Sequence, residues 1–331
     1  MNIKKTRAAA IGAAALALAL SGCASGPVDG SAPAAADSSS GQLTKVTYGI
    51  FPSNTVAAFQ VAKDKGFFEK HGIDLQLVVG AGSSAAQLPA LATGDLDFML
   101  ASPVTALTAT TQGLDVRIVE GVTQNDPKIV EDSTAVVVGA SSTIKTARDL
   151  EGKKVSVNAL GGIGEIGIRE AVAKDGGDPK KVTFVQLSFP EVAAQIEAGQ
   201  IDAGMAGSPF IQQVVSKGGR VVSDFIHDTG LGENELVSIS SGKLVESDPD
   251  KVKRFTEAMK EALPFLTENN DLIRDAMPAA LGTDPAAAKK AQLSLYSAAV
   301  SQETIQLFAD LLVKYGIVNT KPDVAKVIWK P

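Results

Sequence analysis

Two serines mark where this chain is equipped for chemistry. Ser102 and Ser208 each precede a proline, and each closes one copy of a phrase that occurs twice. The first copy reads AAQLPALATGDLDFMLASPV, from Ala85 to Val104; the second reads AAQIEAGQIDAGMAGSPF, from Ala193 to Phe210. Each has an Ala/Gln helical segment, a small-residue turn, a short apolar strand with an Asp, and then Ser-Pro. In an open α/β sheet the carboxyl ends of strands are where ligands bind. A Ser there suits an N-cap, and the Pro after it suits the first helical position. The helix that follows presents unpaired N–H groups and partial positive charge, which hold an acceptor or an anion without Lys or Arg.

Loops at the other predicted strand ends carry the same kinds of group. Phe51, Ser53, Asn54, Ser83 and Ser84 lie around the first copy; Asn158, Gly161, Gly162, Ser188, Phe189 and Phe210 lie around the second. Ser188 and Glu191 fit a capping box. None of these loops contains Lys or Arg, which suits a monoanionic sulfonate or carboxylate, or a neutral heterocycle, better than a highly charged anion. Phe51, Phe189 and Phe210 would flank an apolar or aromatic body. Taken singly, each serine reads as a cap on its own helix and each phenylalanine as core. Their convergence is what marks a site. Glu165 reads as a first-turn carboxylate favoured by the helix dipole, with contact to a cationic group as the alternative.

Catalytic and metal chemistry find little support. His71 and His227 are the only histidines, and Cys23 is the only cysteine. Neither histidine has partners at metal-ligand spacing, and one thiol excludes an internal disulfide or a multi-cysteine metal site. His227 beside Asp228 is the one trace of a hydrolase. The run from Gly162 to Gly167 matches a dinucleotide fingerprint, yet the acidic residue expected about 20 residues on is missing from Val185-Gln186-Leu187-Ser188. The expectation is no catalytic residue, no metal and no cofactor.

The 331 residues suffice for two ordinary domains, and 45% apolar with 21% charged residues is a globular balance. Net charge is −6, and more negative once Lys4, Lys5 and Arg7 are lost, which argues against nucleic acid. Those three residues precede the apolar stretch Ile11–Leu20, too short to span a bilayer, as in a secretion signal. Leu20-Ser21-Gly22-Cys23 resembles the lipobox of bacterial lipoproteins at all four positions. That resemblance implies removal of residues 1–22, acylation of Cys23, and a lipid anchor on the extracytoplasmic face of the cell membrane. Residues 23–42 are rich in Ala, Ser, Gly and Pro and read as a flexible tether.

Strand and helix then alternate as in βαβ units. Strands are predicted at 45–51, 73–79, 96–101 and 116–122, with a helix over 56–71 closed by Gly72 and another from Pro103. A second series has strands at 135–138, 154–158, 182–187 and from Val221, with helices over 144–150 and 165–174. Residues 235–240 return the chain to the first series. After Ser247 the pattern is helical to about Gly316, with no strand.

Several stretches now resemble a known family: Ala62 to Ile73 (AKDKGFFEKHGI), Ala92 to Phe98 (ATGDLDF), Asp149 to Val155 (DLEGKKV) and Ala198 to Ala203 (AGQIDA). The chain resembles the solute-binding lipoproteins of ABC importers in the nitrate/sulfonate/taurine group, which share their fold with thiamine-pyrimidine binding proteins. The resemblance implies a two-lobe α/β fold of periplasmic-binding-protein type 2, with a hinge and C-terminal helices. Lobe 1 would comprise 43–135 and 228–331, and lobe 2 residues 136–227. It implies a monomer that binds a small-molecule ligand, performs no chemistry, and delivers to an ABC permease with its ATPase. Two alternatives stand beside it. One is an enzyme on the same fold acting on a sulfonate or pyrimidine, a chemistry that in relatives relies on a reactive Cys or on His and Cys ligands. The other is a ligand-sensing subunit without transport.

Overall fold

The computed structural model describes residues 42–80, 82–126, 128 and 134–330. The predicted signal, Cys23 and all of the tether but Gln42 lie outside the described residues.

Eleven strands occur among them: β1 Thr44–Ile50, β2 Ile73–Val79, β3 Phe98–Ala101, β4 Val116–Gln124, β5 Thr134–Val138, β6 Lys154–Val157, β7 Thr183–Gln186, β8 Ala203–Gly207, β9 Arg220–Ser223, β10 Leu236–Ser241 and β11 Leu295–Tyr296. They form two sheets, ordered β11-β4-β10-β3-β1-β2 and β7-β6-β8-β5-β9. In each, three parallel strands meet an antiparallel strand that enters from the other half of the chain. That strand is β10 in the first sheet and β5 in the second. The repeated phrase supplies the strand beside it both times, β3 and β8. Its Asp stands at the strand's start and ties it to a parallel neighbour. Asp97 accepts from the Thr47 N–H at 2.8 Å, and Asp202 from the Lys154 N–H at 2.8 Å.

The core of the first lobe is aromatic. Phe255, on helix Pro249–Glu268, stacks on Phe98 with ring centroids 4.1 Å apart and on Tyr48 at 5.7 Å. Helix Pro103–Thr111 lies on β3, β10 and β4, with helix Gln302–Lys314 packed against it.

Several sequence expectations need correction. The helix over 56–71 is two, Asn54–Asp64 and Phe67–Lys70, because Gly66 takes φ 79°, which suits a residue without Cβ. The stretch 144–150 is only a 3₁₀ turn over Ala147–Leu150. The region after Ser247 does contain a strand: β11 pairs with β4, and Trp329 donates its N–H to Ile118. A lobe boundary between residues 135 and 136 would cut β5, which begins at Thr134 and pairs wholly within the second sheet.

Candidate ligand-binding site

The carboxyl ends of β1, β3, β4 and β8 and the amino end of β10 border one cavity. Four N-cap residues line it: Ser53 before helix Asn54–Asp64, Ser83 before the turn Ser84–Gln87, Ser102 before helix Pro103–Thr111, and Gly162 before helix Ile163–Lys174. The partial positive ends of helices from both lobes therefore face the same space. Ser102 caps its helix, accepting from the Thr105 N–H at 3.3 Å. The Thr105 hydroxyl also lies 2.9 Å from Ser84 Oγ, so β3's loop and β2's loop are joined. Ser53 and Ser83 make no side-chain cap.

Two buried polar atoms in this cavity have no hydrogen-bond partner among the described residues: Asn54 Nδ2 from the first lobe and Ser208 Oγ from the second. An unsatisfied buried polar atom is costly, and such atoms concentrate where a ligand completes the bonding. Apolar lining comes from Phe51, Ile163, Phe189, Met205, Ile226 and Leu236. Gly164 allows this packing, since a Cβ there would overlap Met205.

The cavity also holds a carboxylate that sequence reading missed. Glu235, just before β10, accepts hydroxyl hydrogen bonds from Thr134 at 2.6 Å, Ser294 at 2.8 Å and Thr123 at 3.3 Å. All four residues line the cavity. Burial raises the Glu235 pKa, the hydroxyls of Thr134 and Ser294 oppose that rise, and buried Asp224 adds to it. Thr134 opens β5 and Glu235 precedes β10, so this bond joins the two crossings between lobes. No local motif announces it, because the three hydroxyl residues lie 59 to 112 residues from Glu235.

Of the sequence-predicted site residues, Phe51, Ser53, Asn54, Ser83, Ser84, Ser102, Asn158, Gly162, Phe189 and Ser208 line the cavity. Gly161, Ser188 and Phe210 do not. The Gly161 N–H turns to Glu165 at 2.8 Å, and Ser188 is taken up by its capping box with Glu191. Phe210 sits behind Phe189, ring centroids 6.5 Å apart. Glu165 meets its cation within its own helix, at 2.7 Å from Arg169. His227 lies 3.7 Å from Asp228, whose other oxygen accepts from Ser223, so the serine faces the carboxylate and not the imidazole.

The two Ser-Pro corners also differ. Pro103 begins its helix, whereas the Ser208–Pro209 peptide is cis, Pro209 is the N-cap, and the helix is Phe210–Val215. Ser102→Ala is therefore expected to cost about 1 kcal/mol of stability through the lost cap. Ser208→Ala removes an unpaired buried hydroxyl, so it is expected to cost no stability while weakening ligand binding about tenfold. Urea unfolding, paired with calorimetric titration of a solute that stabilises the wild type, separates the two effects. Equal stability losses would show that both serines act alike.

Two α/β lobes whose strand ends border one cavity are the architecture of periplasmic binding proteins. The alkanesulfonate-binding protein SsuA of Xanthomonas axonopodis pv. citri, bound to MOPS, superposes with a TM-score of 0.73 at 20% identity, covering 87% of this chain and 98% of its own. The nitrate-binding protein NrtA of Synechocystis gives a TM-score of 0.70 at 17% identity, covering 87% of this chain and 86% of its own. Identities this low establish the fold. The family model described as NMT1/THI5 like matches residues 53–272, and the chain belongs to that family. Proteins of Brucella abortus, named as binding proteins by inference, are 26% identical over 231 residues, 68% of this chain and 68% of theirs.

Proposed function

We propose that this protein is the lipid-anchored, extracytoplasmic solute-binding component of an ABC importer. It takes a small organic solute, a sulfonate, a carboxylate or a heterocycle, between its two lobes. The observation that carries this reading is the pair of buried, unpartnered polar atoms, Asn54 Nδ2 and Ser208 Oγ, contributed to one cavity by opposite lobes. A solute bonded to both makes its full set of contacts only when the lobes meet, so binding favours the closed state. Family membership supports the reading, as do neighbours that bind alkanesulfonate and nitrate. Among the described residues no helix is long and apolar enough to cross a membrane, so attachment rests on the lipobox and acylation of Cys23. The ABC permease is the partner that receives the closed form.

The test is small-angle scattering and thermal melting of the purified full chain, with and without a broad panel of sulfonates, carboxylates and heterocycles. Compaction together with a rise in melting temperature is expected for at least one solute class. Neither change with any solute would overturn the clamp.

A further inference from the structure

The order of strands in the first sheet gives the cavity a direction. Strands in a sheet lie about 4.8 Å apart. Asn54 follows β1 and Glu235 precedes β10, and β3 lies between them. The strands that carry them are thus roughly 10 Å apart. The β1 side offers donors: the unpaired Asn54 amide and the N-termini of helices Asn54–Asp64 and Pro103–Thr111. The β10 side offers acceptors. Glu235 stands there, and the hydroxyls of Thr123, Thr134 and Ser294 direct their protons to it, so their oxygens present lone pairs. Asp224, also buried, adds negative potential at that side. Among the described residues, no Lys, Arg or His lines the cavity.

We propose that the site is built for a bipolar solute of zero net charge. Its acceptor group, a carboxylate, sulfonate, carbonyl or ring nitrogen, meets Asn54 and the helix N-termini. Its N–H or ammonium group meets the Glu235 end. This rests on the clamp reading above and narrows it. A simple anion gains the N-termini but brings only acceptors to the Glu235 end, where acceptors already face it. A simple cation gains Glu235 but meets the N-termini and the amide. Only a solute with both groups is matched along the whole cavity.

The experiment compares matched probes on the full chain by melting shift and native mass spectrometry. Bipolar probes are 4-aminobutyrate and 4-(aminomethyl)benzoate. Anion-only partners are butyrate and 4-methylbenzoate, cation-only partners are butylamine and 4-methylbenzylamine, and ethanesulfonate is a further anion. At least one bipolar probe is expected to bind tenfold or more tightly than both of its partners. Glu235→Gln should erase the advantage over the anion without weakening the anion itself. Asn54→Asp should turn the preference toward the cation, an independent check if the first variant folds poorly. Anions binding as tightly as bipolar probes would overturn the inference and leave the clamp standing. The same holds if the bipolar advantage survives in Glu235→Gln. Absence of binding and of compaction with every probe, ethanesulfonate included, would remove the clamp reading itself.

Discussion

Glu120→Gln is expected to stabilise this protein, and by far more at pH 8.5 than at pH 5.5. Glu120 lies in β4 with 2% of its surface exposed, and neither carboxyl oxygen has a hydrogen-bond partner among the described residues. Burial disfavours the charged form and pushes its pKa up to about 9, against a smaller opposing pull from Lys260. An unfolded glutamate ionises near pH 4.3. Between these values the native state holds one proton that the unfolded state has lost. Native stability therefore falls as pH rises, by roughly 1.4 kcal/mol per pH unit. The contribution is complete below the unfolded pKa and gone above the folded one. From pH 5.5 to 8.5 the wild type should lose about 4 kcal/mol through this group. Glutamine keeps the shape and cannot ionise, so its profile lacks that loss. Buried Glu235, whose pKa burial also raises, is present in both proteins and cancels in the difference. Urea unfolding of both at the two pH values measures it, and parallel profiles would mean that Glu120 is already charged in the fold.

How such a residue escaped notice in the sequence, and why others did not, has a physical pattern. β2 was legible to the residue because Gly72 and Gly80 bracket an apolar run, and both signals are local. Ser102-Pro103 was legible as a cap for the same reason: N-cap hydroxyl, proline and Thr105 N–H lie within one turn. Ser208-Pro209 is the same dipeptide, yet there Pro209 and not Ser208 is the N-cap, which nothing local announces. The helix predicted through Gly66 failed on a single φ. The small strand β11 has no alternation of its own, and its partner β4 lies more than 170 residues earlier.

The site divides in the same way. Residues at the ends of the parallel strands were found from their position after an apolar run. Glu235, Thr134, Thr123 and Ser294 were not. Each owes its place to a crossing between lobes or to the C-terminal segment returning beside β4. The loops at the predicted strand ends hold no Lys or Arg, which points to a monoanion or a neutral heterocycle as the expected ligand. The carboxylate that gives the cavity its second pole comes from the antiparallel strand, which sequence reading treated only as a return.

Phe255→Ala is expected to cost 3–5 kcal/mol, roughly the range for removing a fully enclosed aromatic ring from a core. Phe255 is wholly buried on helix Pro249–Glu268 and lies within 6.3 Å, centroid to centroid, of Phe68, Tyr48 and Phe98. The last two sit side by side on β1 and β3, in register. Removing the ring leaves a void against three rigid aromatic faces, which collapse poorly, so the cavity penalty adds to the lost burial. β1 and β3 are the strands whose ends present Asn54 and Ser102, so a loosened contact here reaches the donor side of the cavity. The loss should therefore appear twice: as a lower urea midpoint, and as weaker binding of a solute that stabilises the wild type. Phe255→Leu, which refills most of the volume, should recover most of both. An alanine variant within about 1 kcal/mol of wild type would show that the sheet does not depend on this helix for its shape.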